Sequence, residues 1–81
     1  MNAKTWKNPV RIENPETGAI LTVKTVRGAK NVLDGFWPAY HGSRHMLAEQ
    51  ACDEALRGES GPLEARTAFI AAAVEAHFHI H

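Results

Sequence analysis

The sequence predicts an α+β fold, an antiparallel β-hairpin followed by three helices (ββααα). Three observations carry that prediction. Residues 6–24 alternate apolar and polar positions around a Pro/Gly turn, the period of half-buried strands. Residues 26–36, 43–57 and 62–78 instead repeat apolar side chains at helical spacing. Nine of the thirteen alanines fall after position 47, all within the last two of those stretches. Alanine favours helix and lets two backbones approach closely, so these stretches are expected to form a tight antiparallel pair.

The first strand is read over Trp6–Glu13, with Trp6, Val10 and Ile12 on one parity and Arg11 and Glu13 on the other. Pro9 cannot donate to a ladder, so this strand lies at an edge or pairs only after position 9. Asn14-Pro15-Glu16-Thr17-Gly18 is a turn, Pro15 fixing φ and Gly18 supplying a left-handed residue. Ala19–Lys24 returns as the second strand. Thr25 is a side-chain N-cap for a first helix over Val26–Phe36, which Trp37-Pro38 stops. Residues 37–42 connect to a second helix capped by Ser43 and ended near Arg57 by Gly58. Pro62 opens a third helix that runs to about Phe78. Its apolar arc (Leu63, Phe69, Ile70, Ala73, Val74, Ala76) is wide enough to imply contacts on two sides. Residues 1–81 are expected to form a single domain, with 1–5 and 80–81 flexible.

Composition narrows the function classes. Lys and Arg total nine and Asp and Glu nine, so the formal net charge is zero. A dedicated nucleic-acid binder normally shows a basic excess. The balance hides an asymmetry, since residues 1–30 carry six basic and two acidic side chains and residues 31–81 three basic and seven acidic. Halves of opposite sign attract within one fold or between copies. The lone cysteine, Cys52, excludes an internal disulfide and falls on an apolar helix face. Met1-Asn2-Ala3-Lys4 leads into no apolar h-region, and no apolar run is long enough to span a membrane. A cytoplasmic protein is expected.

Five ordered segments carry a family resemblance: Val23-x-Thr25, Ala29-x3-Leu33, Trp37-Pro38, Ala48-x3-Cys52-x3-Leu56-x-Gly58, and Ala65-Arg66-x2-Phe69-Ile70-x-Ala72-Ala73-x-Glu75-Ala76. Together they resemble a family of small bacterial proteins known as domain of unknown function 982, typical of soil and plant-associated alphaproteobacteria. The resemblance covers about residues 9–80, and the last segment with the Trp-Pro pair is its most specific part. It implies a stand-alone cytosolic domain and no particular activity.

Candidate sites follow from residue chemistry. Arg66 projects from the apolar arc of the third helix, where a guanidinium needs a partner. Asp53 and Glu49 are the expected partners, in a structural role, either an ion pair or a bond to loop carbonyls that sets the helix register, rather than an anion site. Phe36, Trp37 and Tyr40 cluster in the connector, either as an interaction surface or, the favoured reading, with the tryptophan plugging the core. Lys24, Arg27 and Lys30 surround the start of the first helix and are the candidate nucleic-acid contacts. His41 and His45, and His77 and His81, stand four apart and with Cys52 form a weak metal constellation. Surface histidines are the favoured alternative, and no metal or other cofactor is expected. No phosphate loop, catalytic triad or nucleophile motif is present. The expected function is therefore non-enzymatic: a protein-interaction or regulatory module that self-associates as a homodimer. Weak nucleic-acid binding is the alternative and metal binding the third reading.

Overall fold

The computed structural model of the chain describes residues 5–38 and 42–81. In order these form β1 (Thr5–Glu13), β2 (Ile20–Thr25), α1 (Val26–Gly35), α2 (Ser43–Leu56), α3 (Pro62–Glu75) and β3 (His79–Ile80). The fold is α+β. The hairpin and three helices form as expected, and a third strand is added at the C-terminus.

The β1–β2 turn closes through local chemistry. Asn14 Oδ1 accepts from Glu16 N at 2.8 Å, Asn14 O accepts from Gly18 N at 2.8 Å, and Gly18 takes φ 75°. Beyond the turn the ladder runs without a break from Glu13↔Ile20 to Val10↔Val23, and its register then shifts before Thr5↔Thr25. The irregularity brackets Pro9, whose missing N–H forbids regular pairing there. On the other side of β1, Ile12 pairs with Ile80 and Glu13 with His79, giving an antiparallel sheet of order β2-β1-β3. β1 is thus covered on both sides at its C-terminal end.

Each helix ends where its sequence provides a stop. Thr25 caps α1, its Oγ1 accepting from Gly28 N at 2.9 Å. At the end of α2, Gly58 takes φ 80°, while Gly58 N bonds Ala55 O and Glu59 N bonds Glu54 O. This is the paired bonding of a Schellman stop. The same stop ends α3 with a histidine in the left-handed position: His77 has φ 67°, His77 N bonds Val74 O and Phe78 N bonds Ala73 O. The third helix therefore ends at Glu75, short of the expected Phe78. The turn drives Phe78 into the core and releases His79–Ile80 as β3. Residues 80–81, expected to be flexible, are instead tied to the sheet, with His81 N donating to Arg11 O at 2.9 Å.

The core lies between the sheet and the helices. Phe69 is fully buried at its centre, with Trp6 and Trp37 at centroid distances of 6.0 and 5.8 Å. Trp6 Nε1 donates to Pro62 O at 2.9 Å, which fastens β1 to the first turn of α3. α2 and α3 share the most extensive contact between elements, and Ala48, Cys52 and Ala55 of the one and Ala65, Ala72 and Ala73 of the other are buried.

The start of α2 departs from expectation. Gly42, not Ser43, is the N-cap, and no cap side chain accepts from the first turn. The acceptor comes from the far end of α3: Glu75 Oε1 takes the Arg44 N–H at 3.0 Å. A carboxylate placed there also meets the positive end of the helix dipole. Gly42 makes room for it, because a Cβ at this position would collide with the Glu75 carboxylate. Glu75→Ala is expected to cost about 1 kcal/mol, a fall in Tm of roughly 4–8 °C for a domain of this size. Gly42→Ala should destabilise in the same direction by displacing the carboxylate. Thermal melts followed by circular dichroism check both, and a wild-type Tm for Glu75→Ala would remove this cap from the account.

Candidate functional site

The charged residues singled out in the sequence are sorted by the fold into two separate places. Arg66 does not meet Asp53 and Glu49. Its Nε donates to Asn8 O at 2.8 Å, next to the break in the β1–β2 register. Of the two structural roles expected of Arg66, the ion pair is absent and a backbone-carbonyl bond is made, to a strand carbonyl beside the irregular stretch. The physical reason is position: Arg66 leaves α3 on the side that faces β1, whereas Glu49 and Asp53 leave α2 toward α1.

Glu49 and Asp53 close instead on Lys30. Lys30 Nζ lies 2.6 Å from Glu49 Oε1, 3.2 Å from Asp53 Oδ1 and 4.0 Å from Asp34 Oδ1. The hydrogen bond to Glu49 leads in pushing the Lys30 ammonium up to about 12, with the Asp53 bond helping and burial opposing. The Glu49 carboxyl is itself pushed up from its ordinary range, by burial first and by Asp34 second, against the pull of Lys30. Beside this cluster His45 is buried, its Nε2 3.0 Å from Leu33 O. A carbonyl can only accept, so Nε2 carries the hydrogen. The cluster braces α1 against α2.

This placement changes the reading of the remaining candidates. Lys24 and Arg27 are exposed, but Lys30 is committed to carboxylates, which breaks the expected basic set at the start of α1. Trp37 turns inward, stacking on Phe78 at 4.8 Å and meeting His45 at 5.6 Å, while Phe36 is left 64% exposed. The two residues therefore do not share a surface, and Tyr40 lies outside the described residues. His41 also lies outside them. His45 is a core residue rather than a surface histidine. His77 sits in the left-handed turn after α3 and His81 lies 2.8 Å from Glu13 beyond β3, so the helical spacing expected of that pair is not realised. Among the described residues no group of three or more His, Cys, Asp or Glu side chains is arranged to hold a metal. Cys52 is buried, and burial pushes its thiol up to about 12, the opposite of an activated nucleophile.

The surface that sequence reasoning did not separate from the core lies on α3. Ala65, Phe69, Ala72 and Ala73 face inward and are fully buried. On the opposite side, Leu63 is 68% and Val74 58% exposed, with exposed Thr67 and half-buried Ile70 between them. These four are spaced 4, 3 and 4 residues apart, the alternation that keeps side chains on one seam of a helix. Alongside the seam runs an open groove of about 420 Å³ lined by Arg44, Leu63, Glu64, Thr67, Ala68 and Ala71. Leu47 on neighbouring α2 is also exposed. The wide apolar arc of the third helix thus divides into an inner face of alanines and Phe69 and an outer seam. The 4-3-4 spacing was the signal that could have found it.

The Lys30 cluster has a signed pH dependence. A raised ammonium contributes stability in full below its ordinary value of 10.5, and that contribution is lost as the pH rises through about 12. Lys30→Met should remove this alkaline loss and cost about 1–2 kcal/mol at neutral pH, where Asp34, Glu49 and Asp53 would repel without a cation. Glu49 favours its proton more in the folded state than in the unfolded one, so the deficit of the variant should shrink as the pH falls through the carboxylate range. Urea denaturation of both proteins across pH checks the two slopes, and a deficit that grows with acid would overturn the assignment.

Comparison with known proteins agrees with this architecture. The chain is similar over residues 8–80 to the family model described as protein of unknown function DUF982. It is 36% identical to the Agrobacterium tumefaciens protein Atu1219, whose NMR structure superposes with a TM-score of 0.76 over 94% of this chain and 75% of that one. No curated protein matches the chain. No helix among the described residues is long and apolar enough to cross a membrane. With nearly the whole chain inside the family model, the protein belongs to the DUF982 family.

Proposed function

We propose that this chain is a non-enzymatic, cytoplasmic protein-interaction module that self-associates, with the outer seam of α3 as its contact surface. One observation carries the reading: two of the most exposed large apolar side chains, Leu63 and Val74, lie on a single stripe of one helix, joined by Ile70 and the methyl of Thr67. Leaving such a stripe in water costs apolar burial that a chain of 81 residues can ill spare. Contiguous apolar surface of this kind marks a place where another molecule docks. A buried, non-activated Cys52 supports a role in binding rather than chemistry. The nucleic-acid alternative is weakened because Lys30 is held by Glu49 and Asp53.

A seam of three helical turns buries less than the roughly 1,600 Å² of a standard interface, so association should be weak and concentration-dependent. Sedimentation velocity from low micromolar to near-millimolar protein is expected to show mass rising toward a dimer. Val74→Lys should hold the protein monomeric with an unchanged Tm, since this side chain is exposed and outside the core. A wild-type protein that stays monomeric throughout would overturn self-association.

A further inference from the structure

The seam on α3 has an internal symmetry that bears on what covers it. Leu63 and Val74 are its outer members and Thr67 and Ile70 its inner ones, and both pairs share one midpoint, between positions 68 and 69. Turned end for end about that midpoint, the stripe superposes on itself: Leu63 faces Val74, and Thr67 faces Ile70. Antiparallel coiled coils require this complementarity, with each layer joining unlike seam positions. Small Ala68 and Ala71 beside the seam allow a close approach of helix axes.

The charges on the rim have the same symmetry with opposite sign. Arg44 N sits on the Glu75 carboxylate, which places the Arg44 backbone at the C-terminal end of α3. Glu64 stands in the first turn at the other end, where its Oε1 accepts from Gly61 N at 2.8 Å. Both line the groove beside the seam. Among the described residues the Arg44 guanidinium has no carboxylate partner. An end-for-end pairing brings Arg44 of each copy against Glu64 of the other, twice per dimer. A parallel pairing would turn each groove toward the partner's opposite flank and make neither contact.

We infer that the occupant of the seam is a second copy of this chain, docked antiparallel through α3 about a two-fold axis near Ala68 and Phe69, with reciprocal Arg44–Glu64 pairs at its ends. The pairing is isologous, so it closes at two copies and leaves no free seam for a third. It rests on the self-association proposed above and adds the orientation and the residues that set it.

Cysteine cross-linking tests the orientation. Leu63→Cys and Val74→Cys place thiols at opposite ends of the seam, about 16 Å apart along the helix. In an antiparallel dimer neither variant cross-links with itself under mild oxidation, whereas an equimolar mixture of the two gives a disulfide-linked dimer on non-reducing gels. Cys52 is buried and stays out of the reaction. Self-cross-linking of each variant alone would indicate a parallel dimer and overturn the inference while leaving self-association intact. A wild-type dimer with no cross-link in any combination would show that another surface is used. A wild-type monomer with no cross-link would sink the broader reading as well.

A charge exchange tests the rim independently. Arg44→Glu and Glu64→Arg should each weaken self-association roughly tenfold by opposing like charges across the axis. Their mixture should associate about as well as wild type, because each contact in the heterodimer again joins opposite charges. Equal association of either variant alone and of the mixture would remove the Arg44–Glu64 pairing.

Discussion

The close approach of α2 and α3 is the constraint on which the rest of the structure depends. Ala48, Cys52 and Ala55 of α2 and Ala65, Ala72 and Ala73 of α3 are all buried, and none of these side chains is larger than a thiol. Side chains this small contribute little apolar area individually, and their value lies in bringing two backbones together. Proximity then does what bulk does elsewhere. It places Glu75, at the end of one helix, against the free N–H groups at the start of the other, and it leaves Phe69 as the large side chain of α3 that is fully buried. Enlarging any seam alanine would push the helices apart and break the Glu75 contact before it added useful burial.

The sheet is assembled around this helix pair by bonds between distant parts of the chain. Trp6 reaches Pro62, Arg66 reaches Asn8, and His81 reaches Arg11. Each joins β1 to the last third of the sequence. β1 is the strand with the proline and the register shift, so it has the greatest need of outside partners. The Schellman turn at His77 completes the arrangement. Without it α3 would run on past Phe78, Trp37 would lose its stacking partner, and the sheet would lack β3.

What was legible in the sequence was local or periodic. The Asn14–Gly18 turn, the Thr25 cap, the Gly58 stop and the alanine pairing each depend on residues a few positions apart or on a simple repeat. The features that escaped were those in which one partner is remote or atypical. Ser43 has the chemistry of an N-cap, but Glu75, 31 residues away from Arg44, supplies the acceptor. His77 adopts a conformation that sequence patterns assign to glycine or asparagine. For Arg66 the sequence left a carboxylate and a loop carbonyl both open, and the strand carbonyl beside an irregular ladder that it reaches cannot be singled out until the register is known. The candidate surface was half legible. The breadth of the α3 arc implied contacts on two sides, yet an apolar count cannot divide an arc between core and exterior. That division needs the position of α2, which fixes the inward face by way of the alanines.

The alanine seam and the exposed stripe are two consequences of one choice. A helix that packs its small residues inward has its outer face left for Leu63 and Val74, with Ile70 half-buried between the two faces. In an isolated domain, natural packing would reverse the arrangement and put the large side chains inside. The inner alanines hold the pair close enough for Glu75 to cap α2. The outer side chains then remain available to a molecule whose surface has matching spacing. Because the spacing is palindromic about its midpoint, the same twelve-residue stretch from Leu63 to Val74 supplies both halves of such a contact. In the dimer proposed above, one stripe of one helix would set orientation and stoichiometry together.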